Sequence, residues 1–190
     1  KGMQDTDPRG GDASAADRRM FDDICGDFGL FIRRDGTWLY RGSPIARKPL
    51  VKLFASVLRR DEAGGYWLVT PAEKGRIEVE DVPFLAVEAT IGGAGREQTV
   101  RLRTNLDEIV TVGREHPLRV AADPATGAPA PYVLVRDRLE ARLARPVFYE
   151  LVEHGAEGSE GGARILGIWS GGIFFRLGAL DAAQPRGGGA

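Results

Sequence analysis

The sequence predicts an α+β protein of two packed, mostly antiparallel units, each reading ββαββ around one helix. Three observations lead there. Two short strings look alike, Ile45-Ala46-Arg47-Lys48-Pro49-Leu50 and Leu143-Ala144-Arg145-Pro146-Val147, and each precedes an apolar stretch with helical spacing. Short alternating runs of apolar and polar residues recur on both sides of these strings. Turn dipeptides rich in glycine separate the runs.

The elements follow in order. Residues 1–13 are polar and Gly-rich and read as a disordered tail. Ser14 with Asp17 forms a capping box for a short helix reaching about Ile24. Leu30-Phe31-Ile32 and Trp38-Leu39-Tyr40 flank Asp35-Gly36, which tolerates the positive φ of a tight turn, so a hairpin is expected. Pro49 suits the start of a helix, because a mid-helix proline costs about 3 kcal/mol. Leu50, Leu53, Phe54, Val57 and Leu58 form its expected apolar face, and Gly64-Gly65 its expected end. Tyr66–Val69 and Arg76–Glu80 read as strands, the second half-exposed. This closes an N-terminal α+β domain over residues 14–82.

A mostly β C-terminal domain is expected over residues 83–180. It opens with a meander: Phe84–Ile91 and Thr99–Arg103 around Gly92–Gly95, then Ile109–Val112 and Leu118–Ala121. Asp123–Pro131 reads as a loop. The second unit then repeats the order. Tyr132–Val135 and Leu139–Leu143 are strands, and Pro146 opens a helix with Val147, Phe148, Leu151 and Val152 on one side. Gly158–Gly162 is an expected loop. Ile165–Trp169 and Ile173–Leu177 are strands around Ser170-Gly171-Gly172. Residues 181–190 form a second disordered tail.

Bulk numbers narrow the function. The 190 residues suit one large domain or two small ones, and 43% hydrophobic with 28% charged residues is ordinary for a globular chain. A formal net charge of −1 argues against general nucleic-acid binding. Cys25 is the only cysteine, so no intrachain disulfide can form and a reducing compartment is expected. No apolar run approaches the roughly 18–20 residues that span a bilayer, and no signal-peptide pattern is present. The cytoplasm is the expected location, and no membrane partner is expected.

No motif names a reaction. Gly167-Ile168-Trp169-Ser170-Gly171 fails the spacing of a nucleophile elbow. Gly92–Gly95 lacks the Lys-Ser/Thr of a P-loop and the third glycine of a dinucleotide fingerprint. The two histidines, His116 and His154, are far apart, and Cys25 has no partner for a zinc cluster, so no metal site is expected.

Several residues are candidates for binding, each with a structural alternative. Arg47 and Arg145 sit just before the proline that starts each helix. A cation there is disfavoured by about 0.3–1 kcal/mol, so something acidic should offset it. That partner is either a ligand phosphate or carboxylate held with the backbone N–H groups, or a protein acid such as Glu80 or Asp81. Thr70-Pro71-Ala72-Glu73-Lys74 reads as a capping box on one helical turn, and Lys74 either belongs to that cap or reaches a ligand. Trp38 and Tyr40 share one strand face and either stack on a flat ligand or pack in the core. Glu78, Glu80 and Asp81 gather carboxylates near a strand end.

Longer segments carry a family likeness. These are Trp38-Leu39-Tyr40-Arg41-Gly42-Ser43-Pro44-Ile45-Ala46-Arg47, Leu50–Phe54, Tyr66–Lys74 with its Thr-Pro-x-Glu-Lys, and Val79–Phe84 with its Glu-Asp-x-Pro-Phe. Together they resemble the bacterial family called domain of unknown function 1285, over nearly the whole chain between the tails. The resemblance implies a two-part fold with a duplicated core and a C-terminal part superficially like a pleckstrin-homology domain. It also implies a nucleotide-like ligand at the domain interface and a sensory role in signalling. It supplies no catalytic residues to carry over.

The expectation therefore leans to a sensor-like module rather than an enzyme, with enzyme activity left open. It would hold an anionic, nucleotide-type ligand between its halves through Trp38, Tyr40, Arg47, Lys74, Glu80, Asp81 and Arg145, with no other cofactor. The alternatives are a protein-interaction module that docks a partner by a strand edge or groove, and a hydrolase using Glu73, Glu80 or Asp81.

Overall fold

In the computed structural model, which describes residues 25–180, the Asp35-Gly36 turn folds the chain back as expected. Strand β1 (Cys25–Ile32) pairs antiparallel with β2 (Trp38–Tyr40), with Leu30 opposite Tyr40 and Ile32 opposite Trp38. Gly36 takes φ +84°, a left-handed conformation that costs glycine little. The helix expected over Ser14–Ile24 and both expected tails lie outside the described residues.

The two-residue strand β3 (Ser43–Pro44) adds to β2 and leads into helix α1 (Lys48–Ser56), which has Pro49 in its first two positions. The expected apolar face is corrected here. Val51 and Ala55 are buried, whereas Leu50 and Leu53 are 38% and 62% exposed. Five of the nine helical residues are apolar, so spacing alone does not choose the buried stripe; packing does. The helix also ends sooner than expected. Leu58–Arg60 leaves it as a strand, β4, because Leu58 pairs with Leu68 of β5 (Tyr66–Val69).

Residues Thr70–Glu73 are not helical. They turn β5 into β6 (Lys74–Val79), with Val69 opposite Lys74. The Thr70 hydroxyl still accepts the Glu73 N–H at 3.0 Å, so the capping interaction closes a hairpin turn. Strand β6 then pairs in parallel with β1, Phe31 opposite Glu78. The first sheet thus runs β3-β2-β1-β6-β5-β4.

The second sheet uses β7 (Phe84–Gly92), β8 (Thr99–Thr104), β9 (Ile109–Thr111), β10 (Leu118–Ala122), β11 (Pro129–Arg136) and β12 (Leu139–Leu143), in the order β10-β11-β12-β7-β8-β9. Its middle pair, β12 with β7, is parallel, Ala141 opposite Phe84. Strand β11 starts inside the segment expected as a loop, at Pro129. Helix α2 (Arg145–Glu153) follows β12 and buries Val147 and Leu151. A third sheet closes the chain: β13 (Ala156–Glu160), β14 (Ala163–Ser170) and β15 (Ile173–Ala179). Gly158, expected in a loop, is therefore a strand residue opposite Ile165.

The class is α+β with strands dominant and two helices among the described residues. One hydrophobic cluster crosses the whole structure. It joins Ile32, Trp38 and Leu58 of the first half to Leu102, Val133, Leu151 and Ile168 of the second. Full burial of such side chains contributes about 1.5–3 kcal/mol each.

The third sheet is joined to the second through Ser170, which has no exposed surface. Its hydroxyl accepts from Val100 N at 2.9 Å and donates to Val112 O at 2.6 Å. The hydroxyl thus sits inside the ladder where Val112 N already donates to Val100 O. The halves themselves meet at Glu80–Pro83, a short connector whose Val82 is buried beside Ala130 and Tyr132. Among the described residues no helix is long and apolar enough to cross a membrane.

Candidate anion-binding cleft between the two halves

A cleft of about 760 Å³ opens where the β1–β2 turn meets the second half. The turn supplies Arg34 and Asp35. The second half supplies Asp123 from the β10–β11 loop, Arg142 from β12, and Arg145, Phe148 and Tyr149 from α2. Helix α2 is held against β7 by Ala144 N donating to Ala86 O at 2.9 Å. Because Val147 and Leu151 face the core, Arg145 and Tyr149 point outward on the next stripe of the helix.

Asp123 organises the polar wall. It is 4% exposed and takes Arg34 Nη1 at 2.9 Å and Arg142 Nη2 at 3.1 Å on one oxygen. Its other oxygen accepts Ala125 N at 2.9 Å. The Ala125 N–H and the Arg142 guanidinium hold its carboxyl below the ordinary carboxylate range. Arg142 also reaches Asp81 at 2.9 Å, and Tyr132 donates to the same carboxylate at 3.0 Å. Burial works against the charge on Arg142, but the bonds to Asp81 and Asp123 outweigh it and raise its pKa. Burial, reinforced by Asp81, raises the Tyr132 hydroxyl as well. Glu80 accepts the Arg34 backbone N–H at 2.8 Å. Arg119 lies over the Tyr132 ring at 4.3 Å and forms a two-point pair with Glu140, both contacts at 2.7 Å.

The seven sequence candidates separate. Arg145 lines the cleft, and Glu80 and Asp81 stand behind its arginines. The acids proposed as structural partners of Arg47 and Arg145 thus serve Arg34 and Arg142 instead. At the start of α1 the offsetting acid is Asp107, which takes Lys48 at 2.9 Å and Lys52 at 3.1 Å. Arg47 is exposed at that helix start and does not line the cleft. Trp38 is 2% exposed and packed in the core, so its ring offers no face to a ligand. Tyr40 is exposed on β2 beside Arg41. Lys74 rests on the Trp67 ring at 4.4 Å.

Arg34, Asp123 and Arg142 were missed by the sequence reading, as was Tyr149. Nothing local marks them, since Arg34 and Asp123 meet across 89 positions. The hydrolase alternative needs two carboxylates converging on open space. Glu73 sits exposed in a hairpin turn, and Glu80 and Asp81 each face an arginine. Among the described residues no group of three or more His, Cys, Asp or Glu could hold a metal ion.

Known proteins match both halves. Residues 21–82 match "Domain of unknown function (DUF1285), N-terminal domain", and residues 83–177 match "Protein of unknown function (DUF1285), C-terminal domain". The chain belongs to the DUF1285 family. Two crystal structures of DUF1285 proteins resemble it. The one from Silicibacter pomeroyi is 46% identical, covers 82% of each chain and superposes with a TM-score of 0.75. The one from Shewanella baltica is 25% identical, covers 66% of this chain and 91% of its own, with a TM-score of 0.52. No curated protein matches the chain. The DUF1285 motifs read in the sequence have structural roles. Thr70-Pro71-x-Glu73-Lys74 is the β5–β6 turn, and Glu80-Asp81-x-Pro83-Phe84 is the connector whose two acids meet Arg34 and Arg142.

Proposed function

We propose that this DUF1285 protein is a sensor-type module that binds a small anionic ligand of the nucleotide type in the cleft between its halves. One observation carries the reading: Arg145. It stands exposed in the cleft at the start of α2, a helix with no side-chain cap and no acid in its first turn. Among the described residues it makes no ion pair, unlike Arg34 and Arg142 beside it. An anionic group would satisfy both the guanidinium and the positive helix end. Phe148 and Tyr149, the latter 56% exposed, offer a flat apolar wall for the rest of the ligand.

The element order strand, strand, helix, three strands occurs in both halves, and we read it as a duplication. In that reading α1 and α2 are counterparts. Arg145 keeps the binding role, whereas in the first half Asp107 pairs with Lys48 and Lys52 of α1. We also read a pleckstrin-homology likeness in the second half, supported by its mostly antiparallel strands and one packed helix.

A nucleotide panel in thermal-shift and calorimetric titrations tests the binding. A ligand at 100 times its Kd adds about 2.7 kcal/mol of stability, which raises Tm by about 5–11 °C in a chain of this size. Arg145→Ala should abolish the response and Arg47→Ala should retain it. No response across the panel, or equal loss in both variants, would overturn the proposal.

A further inference from the structure

The charges that line the cleft bear on which anion fits. Three arginines face it, but two are already committed. Arg34 is tied to Asp123, and Arg142 is tied to both Asp123 and Asp81. Asp123 cannot swing away easily. Its own N–H donates to Ala128 O, its carbonyl accepts Gly127 N, and its side chain accepts Ala125 N, so the loop fixes it as a permanent negative charge.

A second carboxylate, Asp35, lines the cleft from the β1–β2 turn. It accepts Thr37 N at 2.9 Å, and that bond lowers its pKa, so it is ionised at neutral pH. Asp123 and Asp81 between them offset Arg34 and Arg142, so Arg145 is the one arginine of the lining without an acidic partner among the described residues, and Asp35 adds a further negative charge. Apart from Thr126, the remainder of the wall is apolar or aromatic, including Leu85, Pro131, Phe148 and Tyr149.

Resting on the ligand reading above, we infer that the cleft selects a ligand with a single anionic group on a flat apolar body and rejects polyphosphates and other multiply charged anions. One charge meets Arg145. Each further negative group must lie near the carboxylates of Asp35 or Asp123, where like charges repel at short range with little screening inside a cleft. The aromatic wall adds affinity that does not depend on charge.

A charge series on one base tests this with the intact chain, in magnesium-free buffer at low ionic strength. The probes are adenosine, cyclic AMP, AMP, ADP and ATP, with benzoate and benzene-1,3,5-tricarboxylate as a base-free pair. Cyclic AMP should bind about tenfold more tightly than ATP, and benzoate more tightly than the tricarboxylate. Asp35→Asn keeps an acceptor for Thr37 N while removing the charge. It should raise ADP and ATP affinity by about threefold or more relative to cyclic AMP, narrowing the gap. Affinity that climbs with probe charge in the wild type, or a gap untouched in Asp35→Asn, would overturn the inference while leaving the ligand reading standing. No binding of any probe would remove both.

Discussion

Replacing Ser170 with alanine should loosen the third sheet from the second. The hydroxyl bridges Val100 N and Val112 O at 2.9 and 2.6 Å, and Ser170, Val100 and Val112 have no exposed surface. Ser170→Ala leaves one buried N–H and one buried C=O without a partner, each costing about 1–3 kcal/mol. Water cannot reach them without opening the strands, so a total of about 2–6 kcal/mol is expected. In a chain of this length each kcal/mol lowers Tm by about 2–4 °C, giving a fall of roughly 4–24 °C. Denaturant unfolding read by circular dichroism gives the stability change, and amide exchange reports on Val100 directly. Ser159→Ala, on the exposed strand β13, serves as the comparison and should stay within about 0.5 kcal/mol. A Ser170→Ala change below about 0.5 kcal/mol, with the Val100 amide still protected, would refute the reasoning. It would show that Val100 N and Val112 O close up on each other once the hydroxyl is gone.

Two other outcomes are expected. Leu151→Ala, at a site with no exposure, should cost about 2–5 kcal/mol, whereas Leu53→Ala, 62% exposed on α1, should cost under about 1 kcal/mol; denaturant midpoints compare them. The Asp107 carboxyl is held at about 2 by hydrogen bonds from Lys48 and Lys52. Its folded pKa lies below its ordinary value, so its stabilising contribution is complete above about pH 4 and is lost as pH falls toward 2. An NMR titration should find this low value and should see it rise in the Lys48→Ala, Lys52→Ala double variant.

Much of the fold was legible because its signals are local. Asp35-Gly36 announced the first hairpin, although the turn closes between Arg33 and Thr37 and sets Ile32 opposite Trp38. The two prolines marked both helix starts to within a residue. The failures share a cause as well. Val57-Leu58 continues a helical spacing, but Leu58 finds Leu68 across a strand pair. Thr70 and Glu73 make the capping contact, yet the backbone between them has only a turn to close. The site was half legible. Arg145 stood out because a cation at a helix start needs an explanation. Its neighbours Arg34, Asp123 and Arg142 come from distant segments, and each looks alone like an ordinary surface charge.

The connector Glu80–Pro83 carries a consequence for how this protein can be cut or recombined. Boundaries between domains usually fall in exposed segments that tolerate insertion. Here Glu80 N donates to Ile32 O, Asp81 meets Arg142 and Tyr132, and Val82 is buried. An insertion at this point would separate Asp81 from Arg142 rather than lengthen a tether. Excising the second half would take Asp81 from Tyr132, leave Arg142 with Asp123 alone, and uncover the part of the core shared with Trp38 and Leu58. The two halves are thus a single inheritable piece: recombination between them breaks the molecule where most two-part proteins are easiest to divide.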